Sequence, residues 1–278
     1  MKSIYFKRDK ELIFFCEMIF HLYQEIHVQW KQNTHWGNEL QFTNRAFSMQ
    51  QLIPIFVELF ICYRLDDQLQ DIIQKDYLYT DDAEIEHICE LTKWLMADKK
   101  VAKSLFTPQI TMADFIEEIF TQHIHHDRPI HFDALLIFCM NPLTNRLVDA
   151  VGAGIDELKR EEEHQSFIQT VREYVANRKS KQSVLYMLQD ETFQFYKETG
   201  KPYSSIELKQ LMQKEALYIL GLDENETIIS PVLTLLPEKI YLFGDDPEDP
   251  NTIALLSMFQ ERVKLLPLAE FPFSTRFN

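Results

Sequence analysis

Two consecutive segments near the end of the chain, residues 228–243 (IISPVLTLLPEKIYLF) and 252–266 (TIALLSMFQERVKLL), each join an apolar helical run to a short strand-like run. No other feature constrains the fold as strongly. Two strands joined by a helix of this length can lie side by side in parallel through a right-handed crossover. Pro237 separates the first helix from its strand at 239–243, and Asn251 caps the last helix before the strand at 262–266. Upstream, Val184, Tyr186 and Leu188 alternate with Leu185 and Met187, and residues 192–196 follow after Asp190-Glu191. That spacing favours an antiparallel hairpin, which Gly200 and Pro202 end. Ser204-x-x-Glu207 reads as a capping box at the head of a helix that runs to about Leu220 and stops at Gly221. The predicted order after residue 180 is β-β-α-α-β-α-β.

The first 180 residues read mostly as helix. Ile4 to Phe6 is a short β-like run, and Asp9 is placed to cap a helix carrying Leu12, Phe15, Cys16, Ile19, Phe20 and Tyr23 at helical spacing. Residues 27–41 break that period and hold Asn33, Gly37 and Asn38, which reads as a loop or a weak hairpin. Helix resumes near Met49 and runs to about Lys75, with Pro54 in its first turns or at a kink. Thr80 opens a T-D-D-A-E start, and Thr111 precedes a helix with Phe115, Ile116, Ile119 and Phe120 on one face. Asn141-Pro142 starts a helix that reaches Asn177, its apolar face shifting across residues 159–163 as at a bend or a join. The fold class is therefore α+β: a mainly helical region, residues 1–180, with a short amino-terminal strand, then a small mixed α/β domain, residues 181–278.

The carboxyl-terminal pattern carries a resemblance. The two helix-plus-strand segments, the run FIQTVREYV at 167–175, the basic break Arg178 to Lys181, the segment 184–188 and the pair Phe193 to Tyr196 before Gly200 resemble the YtxC-like family of sporulation-associated proteins of spore-forming bacteria. The likeness thins toward the amino terminus, where Ile4-Tyr5-Phe6 and an amphipathic helix fit. It implies a setting, spore formation, and no known chemistry.

Charge narrows the function classes. With 43 acidic against 28 basic residues the net charge is −15, which repels phosphates and disfavours nucleic acid or an anionic membrane surface. The longest basic cluster, residues 178–181, reads as a solvated connector. The 46% apolar content and 21 phenylalanines provide for a packed core without disulfides or a structural metal. The charged amino terminus lacks the core of a signal peptide, and no stretch approaches the roughly 18 apolar residues of a membrane span. Both point to a cytoplasmic protein. Cys16, Cys62, Cys89 and Cys139 are far apart in apolar segments, with no C-x-x-C pair, and read as buried free thiols.

Several sets could carry chemistry. His123, His125, His126, Asp127 and His131 are ligand types that zinc, nickel or iron would take, although His123 continues an apolar stripe and so reads as packed. Glu84-x-x-His87 and Glu161-x-x-His164, each preceded by a helical glutamate (Glu58, Glu118), follow the order of di-iron carboxylate proteins, within glutamate-rich stretches where such spacings arise by chance. In the YtxC-like pattern the position of His164 is aromatic, which implies packing there. Gly152-Ala153-Gly154 lacks a preceding strand and a third glycine, so close helix packing explains it better than a dinucleotide turn. The acids Asp245, Asp246, Glu248 and Asp249 read as a solvated turn, and the strand ends at Phe243 and Leu266 are places where an α/β unit holds ligands. No P-loop, G-x-S-x-G or H-E-x-x-H occurs. No catalytic, cofactor or metal residue is assigned. The function read here is a non-enzymatic protein-interaction or assembly role in sporulation, with another protein as partner. Its rival is a metal-binding protein or a di-iron-like enzyme using the E-x-x-H or histidine sets.

Overall fold

The computed structural model describes residues 2–23, 26–43, 48–98, 110–125, 128–190, 192–215, 217–222 and 228–273. The chain divides into two compact units, Met1–Arg160 and Glu161–Asn278. This division lies upstream of the change in sequence character at residue 180, because the apolar residues Ile168, Val171 and Val175 belong to the second core.

In the first unit, β1 (Lys2–Phe6) leads into α1 (Asp9–Leu22) and a hairpin of β2 (Val28–Asn33) and β3 (Gly37–Phe42). A 3-10 turn (Met49–Leu52) precedes α2 (Ile53–Tyr63), α3 (Leu65–Lys75), α4 (Asp82–Ala97) and α5 (Met112–His123). The strand β4 (Ile130–His131), then α6 (Phe132–Cys139) and the start of α7 (Asn141–Ala176), complete it. The sheet order is β2-β3-β1-β4, antiparallel except where β4 joins β1 in parallel, Tyr5 opposite His131. Ile4, Phe6, Phe15, Phe56, Phe60, Phe120 and Phe132 are buried beneath the sheet's inner face. Their rings touch in a chain, Phe6 to Phe15 at 5.1 Å, Phe15 to Phe56 at 5.2 Å and Phe56 to Phe132 at 5.6 Å.

Local chemistry explains where these elements begin and end. The stretch left open as loop or hairpin is a hairpin, its turn set by Asn33, whose Oδ1 accepts from the His35 and Trp36 amides. Gly37 follows at φ +81°, and a Cβ there would lie 2.6 Å from the Phe6 carbonyl oxygen, so glycine is required. Asp9 is not the cap of α1: it opens the first turn, near the positive end of the helix dipole, and its Oδ1 accepts from Asn38. The helix expected over 49–75 is three pieces. Ser48 and Gln51 form a capping box, Pro54 sits in the first turn of α2, and Arg64 leaves helical geometry between α2 and α3. Of the bend or join expected within residues 141–177 the join is absent, since α7 is one helix whose exposed run, 159–166, brackets the division between the units. Gly154 allows α7 to approach α4: a Cβ there would lie 2.3 Å from Thr92 Oγ1.

The second unit adds to the end of α7 a sheet of β5 (Gln182–Leu188), β6 (Gln194–Tyr196), β7 (Pro237–Phe243) and β8 (Val263–Leu266). Its helices are α8 (Ser205–Met212), α9 (Ile229–Leu235) and α10 (Pro250–Phe259). The strand order is β6-β5-β7-β8, with β5, β7 and β8 parallel and β6 antiparallel to β5. Leu185, Met187, Ile240, Leu242 and Val263 face the helices, clustering with Val171, Val232, Leu233, Leu255 and Met258. On the other face Tyr186, Tyr196, Tyr241 and Phe243 are covered by Phe271 and Phe273, beyond a 3-10 turn at Leu268–Glu270. The helix expected to reach Leu220 ends at Met212 and is followed by a separate 3-10 turn at Leu217–Leu220. Ser204 caps it by accepting from the Glu207 amide, while the Glu207 carboxylate pairs with Lys197.

Candidate functional site: a histidine-rimmed apolar groove

The di-iron order does not assemble. Glu58, Glu84, His87, Glu118, Glu161 and His164 are all exposed, whereas a di-iron centre needs its ligands turned into a helical core. Among the described residues no three His, Cys, Asp or Glu side chains come together to hold a metal ion. His126 and Asp127 lie outside the described residues. His123 is exposed and not packed, because the buried stripe of α5 passes to Ile124. The His123 Nδ1 lies 2.8 Å from the Ile119 carbonyl oxygen. The cysteines are free, but only Cys89 and Cys139 are buried; Cys16 is half-buried and Cys62 exposed. Burial pushes the Cys89 thiol up to about 11, away from the thiolate form that ligates and attacks.

What does converge is a groove of about 410 Å³ between the end of α5, β4 and α6. Its floor is Ile124, Ile130 and Cys139, and its rim carries His123, His125, Arg128 and His131. The other wall is the outer side of α6, with Leu135 and Phe138. This helix, FDALLIFC, is apolar on nearly every side. Phe132, Leu136 and Cys139 are inside, leaving Ile137 at 68% and Phe138 at 79% exposure. Phe138 lines this polar-rimmed groove and Ile137 is exposed next to it in sequence, and exposed large apolar side chains beside a groove are the arrangement of an interaction surface.

The His131 ring is fixed by its neighbours in the sheet. It stacks on Tyr5 at 4.4 Å with planes 7° apart and meets Trp36 at 4.5 Å, while Nδ1 is buried without a hydrogen-bond partner. Burial lowers its pKa, which disfavours the protonated ring. Beneath this wall, Arg64 holds the first turn of α6. Its guanidinium contacts the fully buried Glu11 and donates from Nη2 to Glu11 Oε2 (3.0 Å) and Asp133 Oδ1 (2.7 Å). Asp133 Oδ2 also accepts from the Lys7 amide, so the trio ties α1, the α2–α3 break and the end of β1 to α6. Burial disfavours the Arg64 charge, but the two carboxylates outweigh it and its pKa rises. The same burial raises the Glu11 pKa against the pull of Arg64. Sequence reasoning missed this trio. Its signal is Glu11 itself, a charge at the helical spacing of Phe15 and Ile19 on the buried stripe.

The second unit offers other features. A cavity of about 590 Å³ opens among Phe193, Phe195, Tyr203, Leu208, Met212 and Pro231, with Asp190, Lys209 and Asp249 at its margin. Its rim is mixed in sign, and Asp249 is occupied as the cap of α10, so no one ligand chemistry is selected. The strand ends expected to hold ligands are filled by Gln189, which donates to the Asp246 carbonyl and Thr252 Oγ1 and packs over Gly244. Asp245 and Asp246 accept from the Leu268 and Glu248 amides. The basic cluster is the solvated connector between α7 and β5: Arg178, Lys179 and Lys181 are exposed, and Arg178 and Lys181 both pair with Glu215.

No single described helix is long and apolar enough to cross a membrane; α6 and α7 together pass by length and composition but are bent by 69°. A model of the YtxC-like family matches residues 50–264. The uncharacterized protein YtxC of Bacillus subtilis (strain 168) is 24% identical over 237 residues, covering 84% of this chain and 82% of the relative. No solved structure matches the chain. The family match runs from the turn before α2 into β8, taking in the groove helix α6 and the parallel strands of the second sheet, and the chain belongs to the YtxC-like family.

Proposed function

We propose that the protein acts without catalysis, as a cytoplasmic interaction or assembly factor of sporulation, binding another protein through the groove beside α6. The observation that carries this reading is the exposed pair Ile137 and Phe138 on a helix otherwise packed into the first core. Covering a large apolar side chain stabilises a complex by roughly 1.5–3 kcal/mol, and an aromatic anchor beside a pocket is typical of the residues that dominate interfaces. The setting comes from the family resemblance, and four unpaired cysteines suit a reducing compartment.

The test replaces the gene in a spore-forming host with one encoding Ile137→Ser and Phe138→Ser. Both side chains are solvent-facing, so the variant should keep the thermal midpoint of the parent within a few degrees. The expected result is a stable protein that fails to restore heat-resistant spores in the deletion strain. Full restoration by the variant, or normal spore yield in the deletion strain itself, overturns the role.

A further inference from the structure

Independently of that groove, we infer that the aromatic outer face of the second sheet is a docking surface held shut by the chain's own residues 267–273, and that it takes from a partner protein an extended segment with two aromatic side chains two positions apart. The two faces of this sheet are built from different chemistry. Toward the helices it presents Leu185, Met187, Ile240, Leu242 and Val263, all buried and without a hydrogen-bonding group of consequence. The outer face carries Tyr186, Tyr196, Tyr241 and Phe243, with Leu188 and Leu266 beside them. The register sets Tyr186 of β5 opposite both Tyr196 of β6 and Tyr241 of β7, so three phenols form a row across the strands. A phenol joins an apolar ring to a hydroxyl that keeps a polar partner, which suits a surface covered at one time and wet at another; a face that is always covered gains nothing from three hydroxyls.

The segment seated on the face shows what it accepts. Phe271 meets Tyr196 and Phe243 edge-on at 5.1 and 5.2 Å, and Phe273 meets Tyr186 edge-on at 5.0 Å. Gly200 makes the seat of Phe273, since a Cβ there would lie 2.6 Å from the ring. Pro272 is exposed between the two rings and holds Phe271 extended (φ −61°, ψ 120°), the conformation preferred before proline, so the aromatic pair is presented with little left to order. The anchor of the segment is the Leu268 amide, which donates to Asp245 Oδ1 at 3.1 Å. Beyond it both rings are only half-buried, and residues 271–273 form no strand of the sheet. A strap held by rings and not by a ladder opens without unpairing the strands, and a competitor with the same spacing replaces its contacts one for one.

The probe is a fluorescein-labelled peptide with the sequence of residues 266–273 (LPLAEFPF), titrated by anisotropy against two full-length proteins, the parent and the variant carrying Phe271→Ala with Phe273→Ala. The variant should keep a cooperative thermal transition and bind the peptide saturably, about tenfold or more tightly than the parent, whose strap must first leave. A peptide that keeps only the Phe-Pro-Phe unit among glycine and serine should bind as well, and one with its two phenylalanines adjacent should not. Gly200→Asn added to the variant should remove binding, because asparagine tolerates a positive φ while its side chain fills the seat of Phe273. In the parent, residue-resolved hydrogen exchange should show the Leu268 and Phe271 amides exchanging about tenfold or more faster than those of β5 and β7, a local opening. Loss of the cooperative transition in the variant, or exchange of the strap only together with β5 and β7, makes the strap part of the fold and overturns the inference. So do equal binding to parent and variant, no saturable binding to a folded variant, indifference to the spacing of the two rings, and no effect of Gly200→Asn.

Discussion

The two four-stranded sheets use similar parts and finish their outer faces in opposite ways. In the first, the outer face is polar and open. Glu39 accepts from Ser3, Tyr5 and Gln41, and Tyr5 continues into the stack with His131 and Trp36, at the edge of the groove. In the second, the outer face is aromatic and closed by the chain itself. Phe271 lies 5.1 Å from Tyr196 and 5.2 Å from Phe243, and Phe273 lies 5.0 Å from Tyr186. A sheet with two apolar faces must be covered on both, while one with a polar outer face is left available to other molecules. The open polar face thus lies on the first unit, its His131 edge beside the groove, and the closed aromatic face on the second.

The largest expected effect tests how the first unit holds its surface in place. Arg64→Met leaves the buried Glu11 with only the longer contact to the half-exposed Arg8, 3.8 Å away, and breaking a buried ion pair from one side costs about 3–5 kcal/mol. Adding Glu11→Leu should recover part of the loss, since a buried carboxylate then no longer lacks a cation. We propose that the two units open separately. Hydrogen exchange on the intact Arg64→Met chain should therefore show protection lost across residues 1–160 and retained in β5 and β7. Equal loss in both units would break the comparison.

The second effect tests closure by the tail. Phe271→Ala with Phe273→Ala removes two half-buried rings from the second sheet, for about 2–3 kcal/mol together. Gly200 reports the same contact, because a Cβ there would lie 2.6 Å from the Phe273 ring. Urea denaturation should show the loss, and a hydrophobic dye should bind the uncovered face. An unchanged midpoint and no dye binding would mean that the tail is an ornament on a face stable without it.

The same contrast explains how much was legible in the sequence. Strands buried on one or both faces announce themselves: the run from Val184 to Leu188 and the segment Ile240 to Phe243 carry alternating or continuous apolar residues, and the parallel pairing of β7 with β8 follows from the helix between them, whereas the pairing of β5 with β7 spans β6 and two helices and has no local signal. The outer strand β2, VQWKQN, is almost wholly exposed and shows no period, so its sequence fits loop and hairpin alike, and the Asn33 turn and the close approach at Gly37 decide for the hairpin. At the site, the sequence drew attention to His123, His125 and His131 as ligand types. The structure sets them around an apolar groove instead, since α5 ends just before His125 and β4 fixes His131 against Tyr5. Phe138 could not be told from a core residue, because α6 is apolar on nearly every side and only the fold decides which part of it is covered.

The smallest effect comes from His131 and sharpens the description of the open face. Burial between Tyr5 and the groove wall lowers its pKa, so the folded chain takes up the proton at lower pH than the unfolded chain does. The stabilisation from the neutral ring is thus complete above the ordinary histidine value of about 6.5 and is lost as pH falls through and below it. Tyr5 does not interfere, as burial and its bond to Glu39 raise its pKa above 10.0. The measurement is a difference: thermal midpoints of the parent and of His131→Phe between pH 7.5 and 5. Phenylalanine keeps the stack and removes the titration. The parent should therefore lose more stability than the variant on acidification. Parallel curves would mean that the proton is accommodated on the ring at no cost, and that this edge of the sheet is better solvated than the enclosed face of the second unit.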